Sequence, residues 1–169
     1  SKQDALKYVD ASEASLKSLE SKGIIEIYYA SVSRLKNTQS KGNGLHFELS
    51  QAQQICLKEL KVSFLEKPAT LLKGVTSSGK TELYIELIQE VINKGDQVLY
   101  MLPEIALTAQ IITRLKKVFG DDVGIYHSRF NNHERVEIWN NVLNKKYKVI
   151  LGARSAVFLP FEKLGLVII

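Results

Sequence analysis

Cysteine is nearly missing from this chain: one residue, Cys56, stands among 169. A single thiol excludes an intramolecular disulfide and a cysteine-rich zinc site within these residues, and it fits a reducing compartment. Long apolar runs are missing too. No stretch approaches the ~20 residues that a membrane-spanning helix requires, so no membrane partner is expected. The first residues form a polar, helix-like stretch with no apolar h-region, so no signal peptide is expected. Internal repeats and low-complexity tracts are absent. Zinc-ligand spacing is absent as well. His127 and His133 lie near Asp121 and Asp122 in the sequence, but not at a metal-binding interval. His127 is expected to hydrogen-bond at a strand end instead.

What is present is the composition of a soluble globular protein, 45% hydrophobic and 24% charged. The length suits one α/β domain with a small appendage. The net charge of +5 and the pI near 9.2 favour an anionic partner, nucleic acid first among them. Many soluble proteins are mildly basic, so the charge alone decides little.

Along the chain, Lys2–Val9 has a helical pattern, Ser12 can cap a second helix, and Gly23 sits at its left-handed C-cap position. Ile24–Ala30 is β-branched and aromatic and reads as a strand. Helix, helix, strand is the order of a winged-helix module, and equally that of a nondescript appendage. Asn37–Asn43 is polar, and the domain boundary is placed there. Residues 1–36 are thus expected as a partial winged-helix-like segment, 37–46 as a linker and 47–169 as the main domain. From Leu49 onward helical and strand patterns alternate. Helices are expected over 50–61, 81–93, 105–119 and 132–145. Strands are expected over 70–73, 97–102, 123–126, 148–151 and 166–169. Such alternation predicts an α/β fold, a mostly parallel sheet with helices on both faces. Val167, Ile168 and Ile169 form a continuous apolar stretch, expected in the sheet interior. Trp139, at a helical position, is expected in the core. The lysines at 145, 146 and 148 are expected to be solvated.

Gly74-Val75-Thr76-Ser77-Ser78-Gly79-Lys80-Thr81 matches the phosphate-binding pattern G-x-x-x-x-G-K-[ST] at every fixed position. The glycines let the backbone curl until its N–H groups converge on phosphate oxygens. Lys80 supplies a positive charge between the β- and γ-phosphates, and Thr81 a hydroxyl to Mg²⁺. The helix that starts there turns its positive end to the phosphates. A nucleoside triphosphate and Mg²⁺ are therefore the expected ligands, with Lys80 and Thr81 closest to the chemistry.

Further segments occur in a fixed order: Leu72–Tyr84 around the loop, Leu102–Gln110, His127-Ser128 with Glu134, Arg135 and Trp139, and Gly152–Phe158. Together they resemble the primosomal protein N′ family, the replication-restart DNA helicases of superfamily 2. The likeness is close from about Leu49 to Ile169 and loose over the first 35 residues. It implies a RecA-like P-loop NTPase lobe behind a partial winged-helix-like segment. It also implies an ATP-dependent, 3′ to 5′ DNA helicase of the bacterial cytoplasm. The implied partners are single-stranded or forked DNA, the primosome and single-strand-binding proteins. Leu49–Gln53 resembles the family's Leu-Thr-x-x-Gln element. Gln53 is then the adenine reader, a role its donor and acceptor suit, or else a solvent-facing helix residue. Pro103, Thr108 and Gln110 correspond to helicase motif Ia and would meet DNA phosphate at a helix start, or else belong to an ordinary capped helix start. Arg154 and Ser155 would grip single-stranded DNA, or Arg154 would form a structural ion pair.

Ser77 stands where the family has glycine. The family also continues past a Leu-Gly-Leu-Val-Ile-Ile strand into the acidic Walker B element, whereas this chain stops at Ile169. The resemblance therefore implies that the Mg²⁺-anchoring aspartate, the catalytic glutamate, the second lobe and the zinc-binding cysteines belong to the remainder of a parent protein. The isolated fragment is expected to bind nucleotide and DNA weakly with negligible hydrolysis, and to self-associate through an under-paired apolar strand. Two other functions fit parts of the pattern. One is a different P-loop NTPase, although a small-molecule kinase would need lid arginines that are not found. The other is a non-catalytic nucleic-acid-binding module.

Overall fold

The computed structural model describes residues 12–25, 48–75, 77–103 and 109–169. The chain divides into two compact units, Ser1–Ser33 and Arg34–Ile169.

In the first unit, helix α1 spans Glu13–Ser21. Ser12 caps it by accepting from the Ser15 amide at 3.2 Å. Gly23, at φ +66°, ends it. The Ile24 amide donates to Leu19 O and the Gly23 amide to Glu20 O, each at 3.0 Å, which is the Schellman pattern. None of the α1 residues is buried. The expected Lys2–Val9 helix, the Asn37–Asn43 loop and most of the Ile24–Ala30 strand lie outside the described residues.

In the second unit, α2 (Gln51–Glu66) and α3 (Lys80–Asn93) precede β1 (Gln97–Met101). Then come α4 (Ala109–Phe119), a 3₁₀ turn, β2 (Val123–Tyr126), α5 (Asn132–Leu143), β3 (Val149–Gly152), a 3₁₀ helix over Arg154–Phe158, and β4 (Leu164–Ile168). The four strands form one sheet in the order β2-β3-β1-β4, every pair parallel. Side chains alternate across it. Val98, Tyr100, Val123, Val149, Leu151 and Ile168 pack on one face against Ile85, Ile88, Leu115, Val118 and Phe119 of α3 and α4. Leu99 and Ile150 pack on the other face against Ile138 and Val142 of α5, with Tyr147, Ala156 and Leu159. Helices thus cover both faces, as the alternating pattern predicted.

Gln97, at the start of β1, is a buried polar side chain, 1% exposed. Its amide nitrogen donates to Val142 O at 2.9 Å and Tyr147 O at 3.0 Å. Its amide oxygen accepts from the Glu162 amide at 3.2 Å. One side chain therefore ties the end of α5, the entry to β3 and the approach to β4.

Three expectations need correction. Residues 70–73 form no strand. Strand formation depends on a paired neighbour more than on local composition, and Thr70 instead meets Ser63 of α2, hydroxyl to hydroxyl, at 2.7 Å. The last strand is not interior either. Among the described residues β4 pairs only with β1, so Ile168 is buried while Val167 is 44% and Ile169 92% exposed. Trp139 lies on the outer side of α5, 45% exposed, because Ile138 and Val142 take the core-facing positions. No helix among the described residues is long and apolar enough to cross a membrane.

Candidate nucleotide and nucleic-acid site

The site begins with the caps. Ser50 and Gln53 form a full capping box at the start of α2. The Ser50 hydroxyl accepts from the Gln53 amide at 3.3 Å, and Gln53 Oε1 accepts from the Ser50 amide at 2.8 Å. Asn131 and Glu134 do the same for α5. Helix α3 differs: Gly79 is its N-cap and no side chain caps it. The amides of its first turn are left for another acceptor, and a helix N-terminus in that state suits an anion.

The loop ahead of α3 is curled. Ser78 N donates to Val75 O at 3.3 Å. Ser77 and Gly79 have positive φ, 63° and 80°, and backbone that alternates in this way turns successive N–H groups to one side. Ser77 therefore adopts the left-handed conformation that glycine would take more easily, at about 1 kcal/mol. Gly79 has a second constraint. A Cβ built there would lie 2.1 Å from Gln53 Nε2, which donates to Gly79 O at 3.3 Å. Gln53 thus links the α2 cap to the loop, and it is half-buried at that contact rather than free in solvent.

Lys80 folds back over the loop. Its Nζ donates to Gly74 O at 2.8 Å and to Val75 O at 2.7 Å. An ammonium has three donors, so one remains to meet a ligand. Thr81 follows, half-buried in the first turn. Val75, Ser77 and Ser78 are exposed, and Thr76 lies outside the described residues.

The other expected contacts lie at the carboxyl ends of the parallel strands. Pro103 is exposed just past β1. Arg154 and Ser155 are exposed just past β3. These two strand ends are adjacent, with Met101 opposite Gly152 and the Leu102 amide donating to Gly152 O at 2.9 Å. Gly152 has little room: an added Cβ would lie 2.3 Å from that of Ala156, so the 3₁₀ helix turns tightly over the strand end. Gln110 is exposed in the first turn of α4, while Thr108 lies outside the described residues. Helix α3 reaches β1 through a tight turn at Gly95. Its N-terminus therefore lies at the same carboxyl edge, where ligands of open α/β sheets bind.

Two residue expectations change in detail. The His127 ring stacks on Phe130, centroids 4.0 Å apart at 9°, and its Nδ1 is buried without a hydrogen-bond partner. Lys145 and Lys148 pair with Glu162 and Asp122, each at 2.9 Å. The sequence reading did not find the ion pair of Glu82, in the first turn of α3, with Arg114 of α4. The two are 32 positions apart, beyond any local spacing signal. No cluster of metal-ligating side chains occurs among the described residues.

Comparison with known proteins gives the family. Residues 50–169 match the DEAD/DEAH box helicase family. The replication restart protein PriA of Bacillus subtilis is 35% identical over 172 residues, which cover 96% of this chain and 21% of its own length. That of Synechocystis is 36% identical over 167 residues, covering 98% and 20%. That of Rickettsia felis is 48% identical over 122 residues, covering 72% and 18%. The chain spans about a fifth of the length of the curated relatives it matches.

Proposed function

The chain belongs to the DEAD/DEAH box helicase family, and from that premise we propose that it is the nucleotide-binding part of an ATP-driven DNA helicase acting in replication restart. The observation that carries the reading is the uncapped start of α3, with Lys80 braced on Gly74 O and Val75 O above it. That arrangement supplies free amides, a fixed positive charge and a concave backbone, which together fit a polyphosphate. Gly74–Thr81 would hold the phosphates. Thr81 would offer its hydroxyl to Mg²⁺, which, when bound, offsets phosphate charge. Gln53 already spends one acceptor and one donor on Ser50 and Gly79. Its remaining N–H and lone pair would meet adenine, so base recognition and loop position are joined in one amide.

Pro103, Thr108, Gln110, Arg154 and Ser155 would form part of the track for single-stranded or forked DNA. Residues 1–36 would be a winged-helix-like segment, 37–46 a linker, and 47–169 the first part of a RecA-like lobe. The relatives are bacterial and named for replication restart; a cytoplasmic setting, with primosome and single-strand-binding proteins as partners, is proposed from the family resemblance.

The test is a titration of this chain with a fluorescent ATP analogue and Mg²⁺, with and without single-stranded DNA. Lys80→Ala is expected to weaken nucleotide binding at least about tenfold, as loss of a charged phosphate contact should. DNA affinity is expected to fall with salt at a slope of about −0.7 for each phosphate contact. Equal nucleotide binding by the native chain and Lys80→Ala would refute the assignment.

A further inference from the structure

Glu82 is the third residue of α3. Its carboxylate lies beside the loop, since a Cβ built on Gly79 would stand 3.3 Å from Glu82 Oε2. Taken alone, an acidic group there favours the helix, because it answers the positive end of the dipole. It disfavours a triphosphate, which needs that same positive end. The Lys80 ammonium is turned to Gly74 O and Val75 O rather than paired with this carboxylate. The neutralising charge comes from another element. Arg114 of α4 pairs through Nη2 with Glu82 Oε1. The Arg114 and Glu82 side chains are 37% and 23% exposed, so water screens their charges only in part.

We infer that Arg114 is a positioning and charge-compensating residue for the triphosphate site. It cancels the Glu82 charge and fixes where that carboxylate sits, so the open end of α3 presents a net positive field to the ligand. The inference rests on reading Gly74–Thr81 as the phosphate site. It assigns α4 a share of nucleotide affinity without making it a source of ligands. The share grows with ligand charge, so it is largest for ATP, smaller for ADP and smallest for AMP.

The experiment is a charge cycle on the whole chain, read by displacement of a fluorescent ATP analogue in the presence of Mg²⁺ with ATP, ADP and AMP. Arg114→Gln is expected to weaken ATP binding about five- to tenfold, and AMP binding less than twofold. Arg114→Lys keeps the charge and is expected to stay within about twofold of the native chain. Glu82→Gln is expected to bind ATP as tightly as the native chain or more tightly, and Glu82→Gln with Arg114→Gln to recover most of the loss. A pair that merely braced α3 against α4 would behave otherwise. Each single change would then weaken binding, the double change would not recover it, and ligand charge would not matter; any of these results overturns the inference. Thermal unfolding of each variant shows whether it is folded, and the Glu82→Gln arm does not require Arg114 to be disturbed. Failure of the native chain to bind, or equal binding by Lys80→Ala, would instead remove the phosphate-site reading and the inference with it.

Discussion

Tyr100 lies in β1 under α3, 6% exposed, with the Tyr84 ring edge-on to it at 5.7 Å and 75°. Burial, and then the charge of Tyr84, push its hydroxyl up to about 12. Burial raises Tyr84 as well. In the unfolded chain a tyrosine ionises near 10. Between about pH 10 and 12 the folded state therefore holds a proton that the unfolded state has released. This contribution to stability is complete below pH 10 and is lost as pH rises toward 12. Denaturant unfolding is expected to show stability falling across that window, with a shallower fall in Tyr100→Phe. Parallel curves for the two proteins would show that the Tyr100 proton plays no part. At this scale the sequence was most legible where chemistry depends on spacing. The Gly74–Thr81 pattern placed the curled loop, and the substitution at Ser77 marked a position that does take positive φ. It was least legible where a side chain's surroundings come from distant segments. The exposure of Trp139, the stacking of His127 and the Glu82–Arg114 pair are all of that kind.

Among the elements, helix ends were read well. Ser12, Ser50, Gly23 and Gly95 all cap or end helices where their types predict. Lys145 could not have been read in this way. It ends α5 in a Schellman turn at φ 55°, a conformation the sequence gives no reason to assign to lysine. Strands were harder. A short apolar run states a preference for burial but not a partner, and so Thr70–Lys73 remained unpaired while Leu164–Ile168 became an edge. That edge carries a testable liability. Leu164 and Val167 are 43% and 44% exposed on a strand paired, among the described residues, on one side only. Exposed apolar edges template association. Sedimentation of this chain is expected to show self-association that increases with concentration, and Val167→Lys is expected to reduce it. A native chain that remains monomeric at high concentration would contradict this.

For the molecule as a whole, the parallel sheet brings the loop ahead of α3 and the two exposed strand ends to one edge, and packing at the other edge keeps the strands in register. Gln97 belongs to that second task. Its partners Val142, Tyr147 and Glu162 are 45, 50 and 65 positions away. Gln97→Leu would take the side-chain partner from Tyr147 O and from the part-buried Glu162 amide, while Val142 O would keep the Lys145 amide at 3.0 Å. The substitution is expected to destabilise the chain by about 2–4 kcal/mol, measurable by denaturant unfolding. A loss under about 0.5 kcal/mol, the size of an ordinary surface change, would show that water or rearrangement satisfies those groups.

The same residue has a consequence in time. Contacts of such long sequence separation close late, after the loop entropy between them has been spent. While the chain is partly assembled, the Gln97 amide can only remain solvated. It becomes dry when α5, β3 and the approach to β4 have all arrived. Gln97 therefore acts as a check on completeness: its removal should speed unfolding far more than it slows folding, so the lifetime of the folded chain shortens while its rate of formation is nearly unchanged.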